Sequence, residues 1–135
     1  MKLKTLQKVG GICAIFESLI YIFAFIIYGG ILVYPNANER IVEKLSFLTD
    51  NFLTLLILNL ISYVLFGILL AVLVLAIHQR IKNYAPLLSN LTSIFGIIWV
   101  GLVISSGMIA NIGLSTVIDI GIKEPENAIL IWRSV

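Results

Sequence analysis

Three long runs of apolar residues dominate the chain, and short polar segments separate them. The runs cover residues about 9–34, 52–77 and 87–118. Each exceeds the roughly 20 residues that an α-helix needs to cross about 30 Å of hydrocarbon. Their apolar character is continuous instead of alternating, which favours helices over the strands of a membrane barrel. The pattern predicts an all-α integral membrane protein, with three transmembrane helices in a single membrane domain.

The polar segments predict two further, shorter helices. Between the first two runs, Ile41, Leu45 and Leu48 recur at the spacing of one helical face among charged residues, which predicts an amphipathic loop helix. That helix lies either at the membrane interface or packed on the bundle as a solvated helix. After the third run, the acid-proline-acid sequence at 124–126 is typical of a first helical turn. Residues 124–135 are then either a short helix or the start of a truncated fourth span.

Composition supports a membrane protein and excludes a nucleic-acid partner. Hydrophobic residues make up 60% of the chain and charged residues 12%, with a mean hydropathy of +1.09. That is about half the charge of an average soluble domain. The net charge of +2 comes from basic residues next to the spans, so we interpret them as topology signals. The expected partners are membrane lipids, and the expected location is the cell membrane.

Basic residues set the expected orientation. Five of them flank the amino end and the hairpin between the second and third spans, and four lie on the other side. The short amino terminus and the tight hairpin are the segments to which the positive-inside rule applies best. We therefore expect a cytoplasmic amino terminus, an extracytoplasmic loop helix and an extracytoplasmic carboxyl terminus. In the hairpin, Arg80 and Lys82 are expected to contact lipid headgroups.

Glu17 is the one charged residue within the predicted spans. Burying a bare carboxylate in hydrocarbon costs several kcal/mol, so the side chain should be protonated, hydrogen-bonded or beside water. Counting helical rises from the ends of the spans places Tyr21, Asn59, Tyr63 and Trp99 near the same depth. We predict that these five residues form one buried polar cluster. It acts either as interhelical glue or as a ligand or proton site.

A second candidate site is a row of small and polar residues on the third span. Gly101, Ser105, Met108 and Asn111 lie on or beside one helical face, and the first two form a small-xxx-small pair. Such pairs let transmembrane helices approach closely. The row predicts a packing face, or alternatively a stripe that lines a pore or a substrate path.

No catalytic, metal or cofactor signature is present in the sequence. It lacks zinc-protease, paired-cysteine, nucleophile-elbow, phosphate-loop and dinucleotide motifs. The lone Cys13 has no partner for an internal disulfide. We therefore expect no bound metal, no cofactor and no enzymatic activity.

Three stretches resemble an uncharacterised bacterial and archaeal membrane-protein family. They are Lys8 to Phe25, the Leu-Thr-Asp-Asn approach to the second span at 48–51, and Phe95 to Leu114 with its Ser-Gly-Met-Ile-Ala-Asn-Ile-Gly run at 106–113. The family is known as domain of unknown function 4386. The resemblance, which is to the family's amino-terminal part, implies a polytopic helical fold and supplies no activity. Family members are longer, so the resemblance leaves open whether this chain is a complete functional unit.

Two functional classes remain open at this point. The first is a non-catalytic membrane protein with an assembly, sensor or accessory role, because small-residue helix faces suit partners. The second is a transporter-like or channel-like half-protein that works as an oligomer around the Glu17 cluster. Both require association, either with copies of the chain or with a larger membrane partner.

Overall fold

The structure, a computed structural model, describes residues 3–36 and 38–134. Within these ranges it contains helices, turns and extended segments but no strand, which confirms the all-α fold. In chain order the helices are α1 (Leu3–Ile26, continued by a π-helical turn at Ile27–Ile31), α2 (Ile41–Asp50), α3 (Phe52–Asn59, a π-helical segment at Leu60–Leu65, then Phe66–Ile81), α4 (Pro86–Gly121) and α5 (Pro125–Ser134). Two residues used in the predictions lie outside the described ranges. They are Lys2, one of the five basic residues of the orientation argument, and Val135, the end of the segment 124–135.

Three of these helices are long and apolar enough to cross a membrane, as predicted. They are Lys4–Ile31, Phe52–Ile81 and Pro86–Gly121. The helices extend past the apolar runs, because backbone hydrogen bonding does not stop where the side chains become polar. The basic end of α3 also interacts favourably with the helix dipole. α4 has 36 residues, or about 54 Å at the α-helical rise, well beyond the thickness of hydrocarbon.

The two short helices are present as well. The first turn of α2 is fixed by Glu43, whose carboxylate accepts the Arg40 backbone N–H at 3.2 Å and the Arg40 Nε–H at 2.9 Å. Leu48 on α2 is buried. α5 starts at a proline, which at the first helical position loses no hydrogen bond, and it buries Ala128 and Ile129.

α3 lies in the middle of the long helices. It packs along α1 on one side and along α4 on the other, whereas α1 and α4 do not pack on each other within the described residues. Contact with α4 is close at Gly96, where an added Cβ would lie 2.6 Å from Val74 Cγ2. At Gly107 an added Cβ would collide with Tyr63. The three long helices therefore form a layer with α3 at its centre.

Two groups of buried side chains hold this layer together. One joins Ile20 of α1 to Phe66, Leu70 and Val74 of α3, and Val100 and Val103 of α4 pack against it. The other lies at the end of the layer where the two short helices pack, and consists of Leu48, Leu55, Leu114, Val117 and Ala128. The short helices are thus part of the hydrophobic core and cap one end of the long helices.

Candidate functional site

The face of α1 that packs on α3 carries the only acidic side chain of the α1–α3 interface. Gly10, Cys13, Glu17 and Ile20 are buried along this face at the 3-4-3 spacing of a helix. Glu17 is 8% exposed, and its Oε1 atom has no hydrogen-bond partner among the described residues. The burial of Glu17 agrees with the predicted burial of this side chain. Its lack of a partner does not agree with the predicted polar cluster.

The reason lies in the opposite segment of α3. Gly10 contacts Ala76, and the ring of Tyr21 meets the ring of Phe66 edge-on at 5.2 Å between centroids. Since the two helices run antiparallel, Glu17 lies between these two contacts, opposite residues 66–76. That segment contains only glycine and apolar side chains. No group on it can donate a hydrogen bond to the carboxyl.

The structure corrects the predicted five-residue cluster in two respects. Tyr21 is 64% exposed and Trp99 is 53% exposed, so neither is buried with Glu17. Asn59 does form hydrogen bonds, but with other partners, and Tyr63 forms none within the described residues. Helical rise fixes how deep a residue lies but not which way its side chain points. The depth argument therefore grouped side chains that face different directions.

A hydrogen-bonded group of three side chains, the polar triad Tyr28, Asn59 and Asn111, links all three long helices. The Tyr28 hydroxyl donates to Asn59 Oδ1 at 2.7 Å, and Asn59 Nδ2 donates to Asn111 Oδ1 at 3.0 Å. Asn59 therefore uses its carbonyl oxygen toward α1 and its amide nitrogen toward α4. The predictions placed Asn59 and Asn111 in two separate sites, and the structure joins them.

Both π-helical segments border the polar triad. Tyr28 lies within the π-helical turn that ends α1, and Asn59 is the last residue before the π-helical segment of α3. A π-turn adds a residue to the helical repeat, so it rotates the side chains that follow it relative to those before. Alternating or 3.6-residue patterns carry no signal for such a turn. This is why the sequence missed Tyr28 as a partner of Asn59.

The cleft between α1 and α3 contains two cavities. The first, which we name the tyrosine cavity, has a volume of about 190 Å³ and is lined by Ile20, Tyr21, Ala24, Tyr28, Ser62 and Tyr63. Of the cavity's hydroxyl groups, that of Tyr28 is hydrogen-bonded to Asn59, whereas those of Tyr21, Ser62 and Tyr63 have no hydrogen-bond partner among the described residues. They are therefore available to water or to a ligand. Tyr28 belongs both to this cavity and to the polar triad.

The second cavity, which we name the arginine cavity, lies at the other end of the same cleft. Its volume is about 330 Å³, and Gln7, Gly10, Gly11, Ala76 and Arg80 are among its lining residues. The Gln7 side chain donates to the Ala76 carbonyl oxygen at 2.6 Å there. Arg80, predicted to contact lipid headgroups, is exposed at this end of α3, and Lys82 is exposed just beyond it.

The predicted packing face of α4 is mostly uncovered. Gly101 and Ser105 are exposed, Met108 is 47% exposed, and an added Cβ at Gly101 would meet nothing within 4 Å. Asn111 instead turns toward α3 and joins the polar triad. The close-packed glycines of α4 lie on its opposite face, so the small-residue pair that the sequence identified points away from the bundle.

A histidine–serine pair closes the hairpin between α3 and α4. The Ser89 hydroxyl is fully buried; it donates to the His78 carbonyl oxygen at 3.0 Å and lies 2.9 Å from His78 Nδ1. His78 Nδ1 also lies 3.3 Å from the Ser89 carbonyl oxygen, and whether it donates or accepts in these contacts depends on the ring tautomer. This hairpin clamp is structural, because the buried hydroxyl has no route to a substrate. Nothing in the sequence pattern identified Ser89 as the partner of His78.

The described residues contain no group of three or more metal-ligating side chains. They include three helices that are long and apolar enough to cross a membrane. The described residues therefore form an all-helical fold whose three long apolar helices are consistent with a multi-pass membrane protein. No family model, curated protein or solved structure matches this chain. The resemblance to the family of unknown function stays a prediction.

Proposed function

We propose that this chain is a non-catalytic membrane protein that associates with a second copy of itself through the outer face of α4. The observation that carries the proposal is the exposed pair Gly101 and Ser105 at the middle of a long apolar helix. The inner face of α4 uses the same kind of residue, glycine, for its closest contacts with α3. Small residues serve this purpose because they bring helix backbones into van der Waals contact.

Two arguments favour a second copy as the partner. Copies of one chain insert into a membrane in the same orientation, so their α4 helices run parallel and can meet across a twofold axis. In that arrangement each small residue faces its own counterpart, and a single small-xxx-small pair completes the interface. Ser115 is also exposed and lies on the same face of α4, almost three helical turns beyond Ser105.

The proposed orientation has the amino terminus and the α3–α4 hairpin in the cytoplasm. Lys4, Lys8, Arg80 and Lys82 support it, because short basic segments are retained on the cytoplasmic side. In this orientation α2 and α5 lie outside, and Arg80 and Lys82 reach anionic headgroups at the inner surface. Attaching a reporter to either terminus and measuring its accessibility in intact cells tests the orientation.

Self-association is tested with a pair of neighbouring serines. Consecutive residues on an α-helix lie about 100° apart, so Ser105 is on the proposed interface and Ser106 is beside it at the same depth. We expect Ser105→Ile to reduce the dimer fraction several-fold in lipid bilayers, as measured by single-molecule photobleaching. Ser106→Ile should leave the dimer fraction unchanged. Equal effects of both variants, or a monomeric wild type, would refute the proposal.

The alternative function, a transporter-like half-protein, draws support from a different observation. The buried Glu17 carboxyl and the two cavities all lie in the α1–α3 cleft. If the chain carries protons or ions, Glu17→Gln abolishes flux in proteoliposomes without loss of fold. If the cleft only holds α1 and α3 together, the same substitution changes the thermal stability and has no effect on flux.

A further inference from the structure

The Glu17 carboxyl is an unexplained group in the α1–α3 cleft. It is more than nine-tenths buried, and its Oε1 atom has no partner among the described residues. Glu17 lies at the middle of the Lys4–Ile31 segment, about 20 Å from either end at the α-helical rise. An unpaired carboxylate at that position in hydrocarbon costs several kcal/mol. A carboxylic acid that holds a proton removes most of that cost.

The two cavities of the cleft lie on either side of Glu17. The arginine cavity reaches Gly10 and Gly11, about two helical turns before it, and the tyrosine cavity begins at Ile20, about one turn after it. Volumes of about 330 Å³ and 190 Å³ each hold several water molecules, since a water occupies about 30 Å³. Both cavities have polar groups in their linings that can hydrogen-bond such waters.

We propose that Glu17 is a proton-binding site that exchanges its proton with water in these two cavities. The nearest titratable groups on its own helix are Cys13 and Tyr21, one turn away on either side, and Lys4, Lys8 and Tyr28 lie farther along it. On α3 the facing residues 66–76 include no titratable side chain, and α4 does not pack on α1. A metal cation would need several oxygen ligands around it, and the cleft offers one carboxyl. The proton is therefore the ligand that fits the site.

Reaction with a hydrophobic carbodiimide tests whether the Glu17 carboxyl carries a proton. The carboxyl proton moves to a carbodiimide nitrogen while the carboxyl oxygen bonds to the central carbon, and acyl transfer to nitrogen then yields a stable N-acylurea without loss of atoms. We expect one label for each chain, located at Glu17 by peptide mass spectrometry and absent in Glu17→Gln. A water-soluble carbodiimide should instead label exposed acids such as Asp119 and Glu126.

Infrared spectroscopy of the purified protein in lipid tests the exchange. The carbonyl stretch of the protonated acid is identified as the band that Glu17→Gln removes, and it should shift after transfer to D₂O. Gly11→Leu fills the arginine cavity and Ala24→Leu fills the tyrosine cavity, so at least one of them should slow the shift several-fold. Ser106→Leu, an exposed position on α4 beside the proposed interface, is the matched control and should leave the rate unchanged.

Three results would overturn the proposal. Absence of both the label and the band means that Glu17 is ionised or paired. A band that does not shift in D₂O means that the acid is sealed from water. Equal shift rates in both cavity variants and the control mean that the cavities are not the route. None of these measurements depends on the association of two copies, so failure of the α4 interface leaves this test intact. Far-UV circular dichroism and thermal unfolding confirm that each variant is folded.

Discussion

Removing the Asn59 side chain should weaken the contacts of α3 with both neighbouring helices. Its amide accepts a hydrogen bond from Tyr28 at 2.7 Å and donates one to Asn111 at 3.0 Å. Hydrogen bonds between transmembrane helices contribute about 0.6 kcal/mol on average and up to about 1.7. Asn59→Leu, which keeps the branched shape of the side chain, therefore costs about 1–3 kcal/mol of unfolding free energy. At the upper end that is roughly a hundredfold change in the folding equilibrium constant.

Single-bond variants provide the internal comparison. Tyr28→Phe and Asn111→Leu each remove one of the two bonds, so each should cost about half as much as Asn59→Leu. Because Asn59 is the shared partner, combining Tyr28→Phe with Asn59→Leu should add little to the single Asn59→Leu change. The equilibrium can be measured by steric trapping or by reversible denaturation in bicelles. An Asn59→Leu variant no less stable than Tyr28→Phe would refute the triad as a link between three helices.

Three further predictions follow from the contacts. Gly96→Val should destabilise the fold by about 1–3 kcal/mol through overpacking against α3, whereas Gly101→Val should leave the monomer's thermal stability unchanged. Hydrogen bonds from the Arg40 side chain hold the pKa of Glu43 below its ordinary value. At pH values above the pKa that Glu43 has in the unfolded chain, the ionised carboxylate stabilises the first turn of α2. That stabilisation is lost as the pH falls through the lower pKa of the folded protein. Arg40→Gln should raise that pKa in an NMR titration. Ser89→Ala removes the hairpin clamp and should cost about 1–3 kcal/mol in denaturation experiments.

The three long helices could be predicted from the sequence because the physical requirement is simple. A chain in lipid must satisfy its backbone groups within each span, so length and continuous apolar character are enough to identify a helix. The ends of the helices were predicted less accurately. Basic and polar residues such as His78 and Arg80 continue α3 past its apolar run, since a helix projects beyond the hydrocarbon.

The candidate site was predictable only in part. The burial of Glu17 was predicted, since it is the one charged residue within the spans. The outer position of Gly101 and Ser105 was not, since a small-residue pair is equally suited to either side of α4. The partners of Asn59 depend on the direction of side chains across three helices and on two π-helical segments. Neither the spacing of residues nor their depth contains that information, because both describe one helix at a time.

The position of α3 makes the two proposals independent. Glu17 and its cavities lie between α1 and α3, whereas Gly101 and Ser105 lie on the side of α4 that faces away from α3. The contacts of Gly96 and Gly107 hold α3 and α4 together as one packed pair. A substitution on the outer face of α4 should therefore leave the positions of the α3 side chains in the cleft unchanged. Effects at separated sites without shared partners are close to additive. Coupling between a Ser105 variant and proton exchange at Glu17 would therefore mean that the second copy itself alters the α1–α3 cleft.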